Sequence, residues 1–163
     1  MISSAGPPPA AMASTQRFGD KHDLFLLSLT RYAREVFGPM IARLDASQAS
    51  LGAIRGFFRK VLELVRQPEG RRGCLMCNTA VEVGPFDPPA AERVRRHFRR
   101  VRTGFEHALT NARKRGELGG PLDVAATADY LLGVAQGAFV LARAGLDGPA
   151  IERLLAVALK PLR

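Results

Sequence analysis

Residues 73–88 read Gly73-Cys74-Leu75-Met76-Cys77-Asn78-Thr79-Ala80-Val81-Glu82-Val83-Gly84-Pro85-Phe86-Asp87-Pro88. The first eleven are small and mostly apolar, with one amide and one carboxylate, a composition suited to a short helix covered by others. Gly84-Pro85 turns a corner. Asp87 then offers an N-cap, with Pro88 at the first helical position, where a missing N–H leaves no bond unmade. A short buried helix leading through a corner into a longer one predicts a helical bundle.

Working outward, Val94, Phe98, Val101, Phe105, Ala108 and Ala112 keep a 4-3-4-3-4 spacing, the buried seam of a long helix that stops at Gly116. Arg93, Arg95, Arg96, Arg99, Arg100 and Arg102 take its other faces and read as a solvated surface with Glu92 and Glu106 as local partners. Asp123 caps a further helix, rich in Ala and Gly, running to Gly145, and a last one spans Pro149 to about Leu159. Upstream, Asp20 caps a helix carrying Leu24, Leu27 and Ala33 to Phe37, which Gly38-Pro39 is expected to kink or break before Met40, Ile41 and Leu44. Ser47 or Ser50 starts the next, with Leu51, Ile54, Phe58, Val61 and Val65 as its stripe and Gln67-Pro68-Glu69-Gly70 as its stop. No alternating run of strand length is present. The fold class is all-α, a bundle of about six helices.

The chain has 163 residues, 47% of them hydrophobic, enough for one packed domain. No apolar run approaches the roughly 20 residues that span a bilayer. The best candidate, Tyr130 to Ala142, is too short and contains Gln136, so no membrane contact is expected. No charged region followed by an apolar run marks a secretory signal, and reduced cysteines suit a cytoplasmic protein. The formal net charge of +9 is compatible with nucleic acid as a partner.

Cys74 and Cys77 share a helix face, but His22, His97 and His107 form no paired motif with them. Both cysteines therefore read as buried side chains, with no metal and no cofactor expected. No nucleophile–His–acid spacing and no phosphate-cradling glycine loop points to an enzyme.

The stretch from Gly73 to Pro88, followed by a basic helix, resembles the C-terminal regulatory domain of TetR-family transcriptional repressors, in which a similar helix borders the effector pocket. Phe18, Lys21 and Leu24 also match the pattern that ends that family's DNA-binding domain, with Thr15 where an aromatic belongs and Arg17 where a histidine is common. The helix-turn-helix expected upstream is not in this sequence. Residues 1–17, with Gly6-Pro7-Pro8-Pro9, are expected to form a flexible leader and residues 18–163 the TetR-like domain. Specific operator binding is accordingly expected only with a complete N-terminal domain.

The resemblance implies a homodimer that binds a small, mainly apolar or aromatic effector. The candidate pocket residues are Phe57, Phe58, Val61, Cys77, Asn78, Val81, Phe105 and Tyr130, with Asn78 and Tyr130 supplying polar contacts. The candidate dimer surface is Ala126, Gly133 and Gly137, met by Leu154 and Leu155. Two rival readings are a helical ligand-binding or scaffolding dimer that never touches DNA, and a non-specific nucleic-acid binder working through the arginine face.

Overall fold

The computed structural model describes residues 19–162. The expected leader lies outside them. Among the described residues there is no strand, and seven α-helical segments are joined by short turns. The all-α expectation holds.

Helix α1, Lys21–Tyr32, opens on a capping box: the Asp20 carboxylate accepts the Asp23 N–H at 2.8 Å while Asp23 accepts the Asp20 N–H at 3.3 Å. It runs without interruption into a π-helical segment, Ala33–Phe37, and then into α2, Gly38–Asp45. Gly38-Pro39 therefore does not break the helix. The Gly38 N–H bonds the Ala33 carbonyl five residues back, so the wider turn absorbs the residue ahead of a proline that can donate no bond. Counting this bent rod once gives the six helices expected.

Helix α3, Leu51–Arg66, buries Leu51, Ile54, Phe57, Phe58, Val61 and Val65. A 3₁₀ turn, Pro68–Arg72, leads to α4, Leu75–Glu82, which begins after Cys74. Helix α5, Pro88–Lys114, is capped by Asp87, which accepts the Ala90 N–H at 2.9 Å. Helices α6, Val124–Arg143, and α7, Gly148–Ala158, are capped in the same way by Asp123 and Asp147.

Helix α5 is the axle of the bundle, touching the α1–α2 rod, α3, α4 and α6. At Gly104 the Leu44 side chain of α2 comes close: an added Cβ would lie 3.1 Å from Leu44 Cβ. The core at its middle is aromatic. Phe105 meets Phe57 edge-on, with centroids 4.8 Å apart, and lies parallel to Phe58 at 5.8 Å. One place in the seam differs from expectation: His97 is buried, 5% exposed, and Phe98 is only half-buried. With neighbours on several sides, α5 buries a wider stripe than a single 4-3 seam, and the extra row passes through His97 and Gly104.

Candidate functional site

A cleft of about 540 Å³ opens between the α1–α2 rod and α5. Ala33, Gly38, Ile41 and Ala42 form one wall, Met76 of α4 closes one side, and five arginines border it: Arg34, Arg93, Arg96, Arg99 and Arg100. The rod's π segment contributes Ala33 and Arg34, so its widened turn lies on the cleft itself. The floor is His97, whose Nε2 is buried without a hydrogen-bond partner. Burial pushes its pKa down to about 4, so the ring is neutral at pH 7. No carboxylate is among the described residues lining the cleft.

The arginine face is partly the solvated, locally paired surface expected. Glu92 accepts from Arg95 at 3.0 Å and Arg99 at 2.9 Å, Asp45 pairs with Arg100 at 2.7 Å, and Glu106 pairs with Arg102 at 2.8 Å. Arg93 donates only to the Pro89 carbonyl, at 3.0 Å, and Arg96 forms no ion pair with the described residues. Sequence reasoning passed over this site because arginines at helical spacing look alike whether they face solvent or a cleft. The one usable signal was His97, an imidazole in a row otherwise occupied by arginines and apolar residues.

None of the eight candidate pocket residues lines this cleft. Phe57, Phe58, Val61 and Phe105 are buried in the core described above, with the three rings in mutual contact. Val81 is 76% exposed, since the C-terminal end of α4 turns outward, and it borders no cavity described here. Asn78 lines a smaller hollow of about 390 Å³ beside Tyr32 and Phe139, where its Nδ2 donates to the Arg72 carbonyl at 2.9 Å. Tyr130 borders a shallow depression of about 200 Å³ at the α6–α7 end.

Cys77 is buried, and its thiol donates to Gln136 Oε1 at 2.7 Å. The neighbouring Cys77 and the backbone N–H groups of Cys77 and Met76 hold the Cys74 thiol below its ordinary range, while Cys74 and burial push Cys77 up. Burial, with Cys74 alongside, pushes the Tyr32 hydroxyl up as well. Asp20, His22 and Asp23 cluster closely enough to hold an ion, but the two carboxylates are already used in the α1 capping box and His22 bonds Asp87 at 2.7 Å.

The outer surface of α6 and α7 carries an apolar strip beside the exposed Asp129, Arg143, Glu152 and Arg153. Ala126, Tyr130, Gly133, Gly137 and Val140 follow a 4-3-4-3 spacing along α6, mostly exposed, and Leu146, Leu154 and Val157 extend the strip. Above Gly133 and Gly137 there is open space. Leu155 is buried in the core of the chain at 4% exposure, so the exposed large apolar side chains of α7 are Leu154 and Val157. The expectation that no segment approaches bilayer length also needs correction: α6 has 20 residues and a most apolar window of mean hydropathy 1.4. Only 28% of that window is buried, which leaves much apolar surface on α6 without cover.

A family model described as "Tetracyclin repressor-like, C-terminal domain" matches residues 50–158, from the start of α3 to the end of α7. This chain belongs to the TetR family. The TetR-like region includes α5, α6 and α7 and ends with the apolar strip. Among curated relatives, the uncharacterized HTH-type transcriptional regulator YezE of Bacillus subtilis is 34% identical over 115 residues, covering 70% of this chain and 59% of YezE. The HTH-type transcriptional repressor ComR of Escherichia coli is 27% identical over 148 residues, covering 90% of this chain and 69% of ComR. The chain thus spans less than two thirds of the length of YezE. No solved structure matches it closely enough to add to the TetR assignment.

Proposed function

We propose that this protein is the effector-binding and dimerisation part of a TetR-like transcriptional regulator. The observation that carries the reading is the apolar 4-3-4-3 strip on α6, continued by Leu154 and Val157 on α7, in a chain whose family is that of regulators. Small residues at Ala126, Gly133 and Gly137 permit close helix approach, and a second copy of the same strip would supply the missing cover. Two α6–α7 pairs would then form a four-helix interface about a two-fold axis.

A small effector would occupy the cleft between the α1–α2 rod and α5. Its binding would favour one placement of α1 against α5 over another, and in a dimer this changes the separation of the two ends at Lys21. Operator reading, as the names of the HTH-type relatives suggest, would fall to a helix-turn-helix and not to α3–α7. Nothing in the site geometry resembles a catalytic arrangement.

Sedimentation velocity over low to tens-of-micromolar concentrations tests the reading. A dimer is expected throughout. A monomer across that range would overturn it.

A further inference from the structure

The cleft between the α1–α2 rod and α5 combines two features that neither the core nor the apolar strip shares. One is an excess of positive charge: Arg99, Arg100 and Arg34 are ion-paired with Glu92, Asp45 and Glu35, whereas Arg96 and Arg93, the latter near enough to Asp87 to help hold its carboxyl down, form no direct ion pair among the described residues. Arg93 and Arg96 lie three apart and Arg100 follows four later, so all three border the same cleft. The other is His97 at the floor, 5% exposed with an unpartnered Nε2. A buried polar atom left unbonded costs about 1–3 kcal/mol, and a ligand that bonds it recovers that cost. The wall facing these groups is apolar: Ala33, Ile41, Ala42 and Met76.

We propose that the cleft binds a small organic anion, an apolar body bearing one carboxylate or phosphate, with the anionic head on Arg93, Arg96 and His97. This rests on the effector-binding reading above and names the class of effector. Arginine forks match carboxylate and phosphate oxygens in pairs, and the imidazole adds a bond that only a group reaching the floor can make. The apolar tail lies along Ile41 and Met76, where a neutral isostere would gain the same burial but leave the guanidinium pair unanswered. Duplex DNA is the competing anion for an arginine face. Its phosphates are carried on a wide rod that cannot enter the cleft as far as His97, so the floor histidine separates the two.

The test is calorimetric titration of the intact chain with octanoate, octyl phosphate, octan-1-ol, inorganic phosphate and duplex DNA, with the His97 ring followed by NMR and assigned with His97→Gln. Either organic anion is expected to bind at least about tenfold more tightly than the alcohol, to shift the His97 signals, and to lose its advantage in Arg93→Gln/Arg96→Gln and at high salt. Which of the two anions binds better identifies the head group. Equal affinity for octan-1-ol and octanoate, with His97 shifted by both, would overturn the anionic assignment while leaving the cleft as an effector site. If no probe moves the His97 signals, the cleft is not the site and both readings of it fall. If the double variant loses only its affinity for duplex DNA while octanoate binding is unchanged, the arginines serve nucleic acid and the proposal is wrong.

Discussion

The imidazole of His97 packs edge-on against the ring of Phe37, with centroids 4.6 Å apart and planes at 72°. The contact joins the last residue of the π segment to the middle of α5, beneath the cleft. An imidazole in this setting prefers to be neutral, because burial strips a charged ring of water and Phe37 and Phe98 offer it no acceptor.

That preference makes stability depend on pH. His97 titrates at about 4 when folded and near 6.5 when unfolded. Between those values the unfolded chain binds the extra proton, so stability is complete above about pH 6.5 and is lost as pH falls towards 4, by about 3 kcal/mol in all. Denaturant unfolding of wild type and His97→Phe across this window measures it. The variant should show a shallower decline, and parallel curves would show that His97 is not the group responsible.

Leu154 and Leu155 are neighbours in sequence with opposite tasks. Leu155→Ala should destabilise the protomer by about 2–5 kcal/mol, as expected for a buried leucine. Leu154→Ala should leave unfolding within about 0.5 kcal/mol, once self-association is accounted for, and weaken the dimer. Chemical denaturation at dilute concentration, together with sedimentation, separates the two effects.

Gly137→Leu places a bulky side chain in the space above α6 where the Ala126–Val140 strip would meet its copy. A loss of self-association of at least about tenfold is expected in sedimentation, with helicity kept or raised, because glycine in a helix interior costs about 1 kcal/mol relative to better formers. An unchanged dimer would move the interface elsewhere.

Cys74 should ionise below the ordinary thiol range in the native protein, visible in a pH titration of thiolate ultraviolet absorbance whose low-pH part disappears in Cys74→Ser. Because its side chain is fully buried, alkylation under native conditions should still be slow and should accelerate on unfolding. Rapid native labelling would show that α4 opens readily.

The helices were legible because their signals are local. Asp20, Asp87, Asp123 and Gly116 sit at the boundaries that their capping chemistry dictates, and the α3 stripe is buried as its spacing requires. The cleft was not legible, since the same apolar pattern specifies core and cavity wall alike. Phe57, Phe58 and Phe105 have the chemistry of a ligand box, yet the three rings satisfy one another. Leu154 and Leu155 were indistinguishable for a related reason: adjacent leucines on a short helix carry no sign of which one meets the protomer's own core. Ala126, Gly133 and Gly137 fall on one line of α6, as their helical spacing requires, with Ala126 and Gly133 exposed and Gly137 half-buried.

The widened turn at Ala33–Phe37 fixes the length of the rod as well as its shape. A π turn holds one residue more than the α turn it replaces, in the manner of a dislocation in an otherwise regular lattice. Deleting a single residue there would restore an even ladder and leave the composition almost untouched. Because the wider turn already absorbs the extra residue, that deletion would leave α1 and α2 close to their present mutual direction and Leu26 and Leu29 in the core. A deletion within α1 itself has no such slack and would rotate everything ahead of it by about 100°, one helical step. Homologues built on this rod should therefore tolerate the loss of one residue between 33 and 37 far better than the loss of one between 21 and 32.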